Sequence, residues 1–423
     1  MRRALTTLAV LALAATAVGE SRYVGPGACA APACHGATTP RADGSSTLQN
    51  EYVTWSRADR HARAFAVLGT EPALRIARLV GMADRDATAA TWLARAPRRE
   101  RCLDCHTLDV PGEPRLDPTE GVSCEACHGP AGGWLAAHTE PGADPVALAP
   151  RGMVDTRDPA RTAETCLRCH LGTSARRVDH ELLAAGHPTL AFELDTFAAR
   201  MPAHWREHAG NRRWFRGGAW AIGQAVALRE GMRLIAAELA AADGPDFSVD
   251  ECSACHHDLG TDAWRQQTAH ARRTEGTPTL DVARFALAGA LARALDASEA
   301  AALDASFERL ARAGGGSAAP TTARDVVALA ERLLERARAT PIDCARARTL
   351  FRDVAARAET LAYAGFAAAQ QTAWALDALA VACTADAETP ARRARGRLFD
   401  DLSSQGGYDP ARFARALAGV TAP

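Results

Sequence analysis

The sequence predicts a mainly α-helical protein in two parts: short helices and loops over residues 20–277, then a helical bundle over residues 278–423. The first part has connectors rich in proline and glycine, such as residues 111–121 and 140–150, which favour loops over sheet. The second part is rich in Ala, Leu and Arg, and its apolar residues recur at helical spacing. These two observations predict a chain with little or no β-structure.

The C-terminal part contains two apolar stripes that are typical of amphipathic helices packed in a core. They consist of Leu287, Leu291 and Leu295, and of Val326, Leu329 and Leu333. The segment 314–322 is rich in glycine and small residues and predicts a connector between helices. With roughly 140 residues, this part is long enough to form its own hydrophobic core.

Two cysteines of the bundle, Cys344 and Cys383, belong to no motif and could form a disulfide. In one unbroken helix they would lie about 58 Å apart, so a disulfide requires the chain to turn back between them. We expect such a turn near residues 359–360. The alternative is a pair of buried thiols.

Four segments read Cys-x-x-Cys-His, which is the attachment site of a c-type haem. In such a site both thiols bond to the porphyrin and the adjacent His is the proximal ligand of the iron. At the cysteine and histidine frequencies of this chain, about 0.01 such pentapeptides are expected by chance. The predicted haem-bearing cysteines are Cys102, Cys105, Cys124, Cys127, Cys166, Cys169, Cys252 and Cys255, and the predicted proximal ligands are His106, His128, His170 and His256.

A further, irregular copy of the motif lies near the N-terminus. In chain order it is the first motif, and the motifs that end at His106, His128, His170 and His256 are the second to the fifth. Cys29 and Cys34 are separated by four residues instead of two, and His35 follows the second cysteine directly. The longer spacer can loop out, and the trailing His favours a haem over a small Cys29–Cys34 disulfide, in which it would have no role. The sequence therefore predicts five haem c groups.

Composition and the N-terminus argue against other kinds of site and partner and indicate where the protein is located. Paired cysteines also occur in zinc sites, but zinc does not require a His after every pair. A net charge of −1 and a pI near 6.9 argue against a nucleic-acid partner. Residues 1–19 combine a basic start with a short apolar run, which predicts a cleaved signal peptide and a periplasmic or otherwise exported protein. The apolar stretch 219–242 is interrupted by charges and predicts a buried or amphipathic helix, with no transmembrane segment after signal cleavage.

The second axial ligands must come from the eight remaining histidines if each iron is held by two imidazoles. We expect a helix at about 49–68, with His61 on its apolar side. His138 follows a motif through a short tether, His187 precedes a proline, and His180 lies beside carboxylates that could orient its ring. These four are the favoured candidates. Less favoured are His204, His208, His257 and His270, with Met82, Met153 and Met201 as weaker axial alternatives.

Several of these segments together resemble a known family. YVGPGACAAPACH, SRADRHARAFAVL, GVSCEACHGPAGGWLAAH and AAGHP resemble segments of bacterial exported multihaem cytochromes c. Residues 22–260 are similar to the tetrahaem cytochrome that accepts electrons from hydroxylamine oxidoreductase. The resemblance implies a multihaem cytochrome c fold with closely stacked haem pairs, bis-His irons, and distal roles for His61, His138 and His187. The first motif's spacing, the additional motif and the appended bundle depart from that tetrahaem pattern.

Two functions are compatible with these features. The first is electron transfer between redox partner proteins through closely packed, mostly bis-His haems. The alternative is a reductase or oxidase of a small nitrogen or sulfur oxyanion, which requires one open iron and proton donors beside it. The segment 201–216, with His204, His208, Arg206, Arg212 and Arg213, is the candidate lining of such a pocket. The bundle could also serve as a docking surface for a redox partner.

Overall fold

The computed structural model describes residues 22–43, 45, 47–94, 99–206, 216–241, 246–252, 255, 256, 260, 279–314, 316–383 and 394–422. Within these ranges the protein is mainly α-helical, as the sequence predicts, and contains no β-strand. Two isolated antiparallel bridges, Thr173 with Arg176 and Asp250 with Leu280, are the extended pairings among these residues. The predicted signal peptide at residues 1–19 lies outside the described residues.

The α-helices are short up to residue 200 and long after residue 216. In chain order they are α1 Glu51–Ala58, α2 Ala64–Val67, α3 Glu71–Leu79, α4 Ala89–Ala94, α5 Asp104–His106, α6 Cys124–His128, α7 Pro145–Leu148, α8 Pro159–His170, α9 His180–Ala184, α10 Leu194–Arg200, α11 Arg216–Leu239, α12 Ala286–Leu295, α13 Ala297–Ala313, α14 Ala319–Ala339, α15 Cys344–Ala356, α16 Ala358–Tyr363, α17 Phe366–Val381 and α18 Pro410–Ala418. Short 3₁₀ turns connect many of them, among them Pro26–Cys29, His61–Arg63 and Phe247–Val249.

The helix expected at 49–68 is broken, and this prediction was wrong. Helix α1 ends at Ala58, and Asp59 is extended, with a ψ of 134°. The Asp59 carboxylate accepts hydrogen bonds from the backbone N–H of His61, at 2.9 Å, and from its ring Nδ1, also at 2.9 Å. An aspartate that bonds the backbone two residues on competes with the helix, which explains the break. His61 is consequently held by a turn rather than by a helix face.

Aspartate followed by proline begins three of the helices. The carboxylates of Asp144, Asp158 and Asp409 each accept a hydrogen bond from the residue two positions on, and a proline takes the first helical position. Proline is favoured there because its missing N–H would have no partner inside the helix. Helix α8, which carries the fourth motif, therefore has a well-defined start eleven residues before its predicted iron ligand, His170.

One hydrophobic core joins α11 to the C-terminal helices. Trp220 and Met232 of α11 are fully buried, and α11 packs chiefly on α14 and also on α8, α17 and α12. Both predicted stripes line this core, with Leu295 only partly buried at its margin. Ala163 and Leu167 of α8 belong to the same core, so the fourth motif is anchored to the bundle.

The division of the chain near residue 278 stays a prediction. The core described above contains residues from both sides of that position, because α11 is buried along most of its length and packs on helices from both parts of the chain. None of the helices in the described ranges combines the length and apolar character needed to cross a bilayer.

Cys344 and Cys383 form a disulfide in the structure, with their Cα atoms 4.7 Å apart. Cys344 begins α15, and Cys383 follows the end of α17. The chain turns back between them through α16 and Gly365, whose φ is 117°. The turn lies a few residues after the expected position.

Candidate haem sites

The first motif brings together two imidazoles that face each other. The rings of His35 and His138 are nearly parallel, 13° between planes, and their centres are 6.3 Å apart. Helix α6 and the turns that follow it place His138 beside the first motif, and Trp134 packs edge-on against its ring. A predicted distal candidate is thus opposite a predicted proximal ligand.

Two further pairs have the same separation. His61 lies 6.2 Å from His170 between ring centres, with planes at 87°. His180 lies 6.3 Å from His256, with planes at 27°. Each pair again joins a distal candidate to the proximal ligand of a motif distant in the sequence.

These separations test whether the residues fit an iron. A metal–imidazole bond of about 2 Å and about 1.1 Å from that nitrogen to the ring centre place two axial imidazoles about 6.2 Å apart across one iron. The three measured values of 6.2–6.3 Å agree with this distance. Aromatic rings in direct contact also have centres about 4.5–7 Å apart, so the distance counts together with the fact that each pair joins a motif histidine to a histidine distant in the sequence. The pairs therefore fit one iron each.

The ring nitrogen Nδ1 of six candidate iron ligands has a hydrogen-bond partner, which leaves the Nε2 of each as the nitrogen available to an iron. A partner of this kind fixes the tautomer and the ring orientation of a metal-binding His. The Nδ1 contacts are His35 to Glu51 at 3.0 Å, His61 to Asp59 at 2.9 Å, His106 to the Ala64 carbonyl at 2.9 Å, His187 to the Pro188 carbonyl at 2.8 Å, His204 to the Pro202 carbonyl at 3.2 Å, and His138 to the Leu135 carbonyl.

At the second motif, His187 interacts electrostatically with His106. Burial lowers the pKa of His187, and the positive charge of His106 lowers it further, whereas the hydrogen bond to Pro188 raises it. The two rings therefore lie within electrostatic reach of each other.

At the third motif, His204, which was not among the four favoured candidates, interacts electrostatically with His128. Burial lowers the pKa of His128 to about 4, and the next causes are the charges of His204 and then of His35. Nothing in the residues around His204 distinguishes it from a surface histidine. If the four favoured histidines are assigned to four irons, one iron remains without a distal ligand. That elimination is the one signal that could have indicated His204.

The thiols of different motifs also meet. Cys124 donates a hydrogen bond that lowers the pKa of Cys29 to about 7, and a hydrogen bond with Cys105 likewise lowers the pKa of Cys169 to about 7. The first site is therefore adjacent to the third, and the second to the fourth. Cys127 of the third motif also raises the pKa of Cys166, after burial, which connects the third site to the fourth.

The irregular first motif closes through a compact loop. The backbone N–H of His35 donates to the Cys29 carbonyl at 3.2 Å, so the ends of the longer spacer meet. Cys29 and Cys34 are reduced, and no disulfide joins them in the structure. Gly36 lies against this loop, where a Cβ atom would be 1.8 Å from the Ala30 oxygen. The spacer therefore loops out without displacing His35 from Cys29.

The fifth site adjoins a small, solvent-open pocket of about 60 Å³ that Cys252 lines in part. Arg177 and Arg284 also line it; Arg177 pairs with the buried Glu238, and Arg284 lies 2.7 Å from Asp281. Arginine is the preferred partner of carboxylates such as haem propionates, so these two side chains could hold them.

The other sequence-predicted candidates have different positions. Met82 and Met153 pack in small hydrophobic clusters, and Met201 follows the end of α10. The Arg206 guanidinium donates to the carbonyl of Arg41. His208, His257, His270, Arg212 and Arg213 lie outside the described residues.

Comparison with known proteins agrees with this chemistry over part of the chain. Residues 28–129 of the 423 match the family model described as cytochrome c554 and c-prime. The match covers the first three motifs, including the irregular one, and it supports a multihaem c-type cytochrome with a role in electron transfer. Neither the curated proteins nor the solved structures include a match to the chain.

Proposed function

We propose that this protein is a periplasmic multihaem cytochrome c that carries electrons between redox partner proteins and holds five bis-His haems. The observation that carries the proposal is the spacing of 6.2–6.3 Å between imidazole centres in three pairs. Two further pairs, His106 with His187 and His128 with His204, are supported by electrostatic contact. Haem c bound at these sites would supply a one-electron Fe(III)/Fe(II) couple.

The pairing of imidazoles bears directly on the choice of function. With an imidazole on each side, a site has no axial position left for a substrate. At the third site, a reductase or oxidase would need to keep His204 away from the iron. The electrostatic interaction of His204 with the deeply buried His128 supports the electron carrier over the alternative.

Hydrogen bonds to the candidate ligands also support an electron carrier. Donation from Nδ1 makes an imidazole more basic and a better ligand for ferric iron. A carboxylate partner does this most strongly, and such partners are present at His35, through Glu51, and at His61, through Asp59. These contacts support low reduction potentials at the first and fourth sites.

The contacts between thiols support the remaining requirement, which is proximity of the sites. The first site touches the third, the third lies near the fourth, and the fourth touches the second. When haem sites are neighbours, an electron crosses only a short distance from one haem to the next, which favours rapid electron transfer.

The proposal is tested by adding nitrite, hydroxylamine and carbon monoxide separately to the intact, exported protein. Haem stoichiometry is determined on the same sample. We expect five haems per chain, full reduction by dithionite and no spectral change with any of the three molecules. Binding or turnover of one of them at a haem would favour the alternative, a multihaem oxidoreductase with an open iron. A mass no greater than that of the polypeptide would exclude both functions.

A further inference from the structure

Arg101, the residue before the first cysteine of the second motif, contacts a segment that belongs to the fifth site. Its Nη2 lies 2.8 and 2.7 Å from the two carboxylate oxygens of Asp179, and its Nη1 lies 2.8 Å from Glu181. Asp179 and Glu181 flank His180, the candidate distal ligand of the fifth iron. One guanidinium therefore binds both neighbours of a ligand that belongs to another site.

The position of His180 depends on these neighbours. Asp179 also caps α9, because its carboxylate accepts the backbone N–H of Leu182 at 2.9 Å. The backbone N–H of His180 itself donates to Asp246 at 2.9 Å. The sequence suggested that a neighbouring carboxylate orients the His180 ring, but the structure turns both carboxylates to Arg101 instead. The ring is thus oriented through the backbone, which is held at both sides.

The environment of Arg101 makes these contacts stronger than surface ion pairs. Its side chain is 21% exposed and that of Asp179 is 23% exposed. Its Nε is buried and has no hydrogen-bond partner among the described residues. Among these residues, the hydrogen bonds of the guanidinium therefore all go to Asp179 and Glu181. A planar guanidinium shared between carboxylates at this depth holds a fixed geometry, which a lysine ammonium does not.

We infer that Arg101 is the positioning residue for the distal ligand of the fifth iron, and that through it the second motif sets the coordination of a neighbouring site. This inference rests on the proposed function, because it requires a haem at His256. Arg101 touches no iron; it acts through Asp179, Glu181 and the start of α9. Loss of such outer contacts typically weakens a metal site about 10- to 100-fold.

The test compares Arg101→Gln with the unchanged protein by titration of the oxidised forms with potassium cyanide, a small ligand that competes with a distal imidazole. We expect Arg101→Gln to keep five attached haems and to let one haem bind cyanide at a concentration roughly 10- to 100-fold lower than in the unchanged protein. Arg101→Lys should lie between the two. Arg161→Gln, which removes an exposed arginine paired with Glu164, is the control and should leave the titration unchanged.

A second variant guards against poor folding of the first. Glu181→Gln removes only the more exposed arm of the contact, since Glu181 is 59% exposed, and should shift the titration in the same direction by a smaller factor. The inference would be overturned if Glu181→Gln and whichever Arg101 variant folds both bound cyanide with the same affinity as the unchanged protein. That result would leave the proposed function intact if five low-spin haems are present, whereas an unchanged protein without haem would refute the function itself.

Discussion

Gly36 packs directly beneath the carbonyl of Ala30, and a Cβ atom at Gly36 would be 1.8 Å from that oxygen. The contact closes the loop that the longer spacer of the first motif forms between Cys29 and Cys34. Real Cβ atoms do not approach a backbone oxygen so closely, so a side chain here must displace the loop.

Gly36→Ala should therefore impair haem attachment at the first motif while the four regular motifs stay occupied. Intact mass after export should show a large fraction of chains with one haem fewer. Gly27→Ala is a matched control in the same segment, because a Cβ there has nothing within 4 Å. Equal, full occupancy in both variants would contradict the proposed role of this loop.

Glu125, inside the third motif, is 3% exposed and binds the N-terminal segment. Its carboxylate accepts backbone N–H groups from Val24, from Gly25 at 2.8 Å and from Ala131 at 2.7 Å. Glu125→Gln replaces an acceptor oxygen by a donor and should lower the free energy of unfolding by about 2–4 kcal/mol. Removal of the buried negative charge should also raise the potentials of the first and third haems.

Thermal unfolding and a potentiometric titration measure the two effects. Glu140→Gln, an exposed glutamate, is the control and should change stability by less than about 0.5 kcal/mol. If Glu125→Gln behaved like this control in both measurements, the carboxylate would not hold the N-terminal segment.

His204 can be tested as the distal ligand of the third iron by two substitutions. His204→Ala should convert one haem from low spin to high spin, because His128 would remain as the single axial protein ligand. His204→Met should keep that haem low spin and raise its potential, since a thioether favours ferrous iron. Magnetic circular dichroism distinguishes the spin states. A fully low-spin His204→Ala protein would assign the ligand elsewhere.

The disulfide between Cys344 and Cys383 should stabilise the bundle. It closes a loop with a sequence separation of 39 residues, and loops of that length restrict the unfolded chain by about 3–4 kcal/mol. The double variant Cys344→Ser, Cys383→Ser should unfold at a lower temperature and lose all sensitivity to a phosphine reductant. Equal melting of the two proteins under oxidising conditions would show that the cross-link has no stabilising effect.

Deletion of residues 279–423 should expose α11 rather than release an independent haem domain. Trp220 and Met232 are fully buried against helices that the deletion removes. We expect the truncated protein to aggregate or to lose helix α11, as judged by circular dichroism and light scattering. A soluble truncated protein with all five haems would instead support a domain boundary near residue 278.

The parts of the structure that follow from local chemistry could be predicted from the sequence. The motifs predict iron ligands next to their cysteines, and apolar periodicity identifies the bundle helices. Residues whose role depends on distant packing could not be predicted in this way. His204 comes within electrostatic reach of His128 only after the intervening chain has folded. The main packing partner of α11 lies about a hundred residues further along the chain, so local periodicity could not identify it.

The break at Asp59 was missed for a different reason. Helical periodicity continues through the segment, but a short polar side chain can bond the backbone ahead of it and end a helix. The same contact orients His61, so the residue that interrupts the helix also orders the ligand. Attention to the aspartate two residues before the histidine would have indicated both.

Low-temperature electron paramagnetic resonance of the oxidised protein tests the five imidazole pairs most directly. Perpendicular ring planes leave two iron d orbitals nearly equal in energy, so the pair His61–His170, at 87°, should give a highly anisotropic low-spin signal. The nearly parallel pair His35–His138, at 13°, should give a rhombic low-spin signal. We expect these signals, five low-spin irons by integration and no high-spin resonance. A high-spin signal from a protein with all five haems attached would contradict the account.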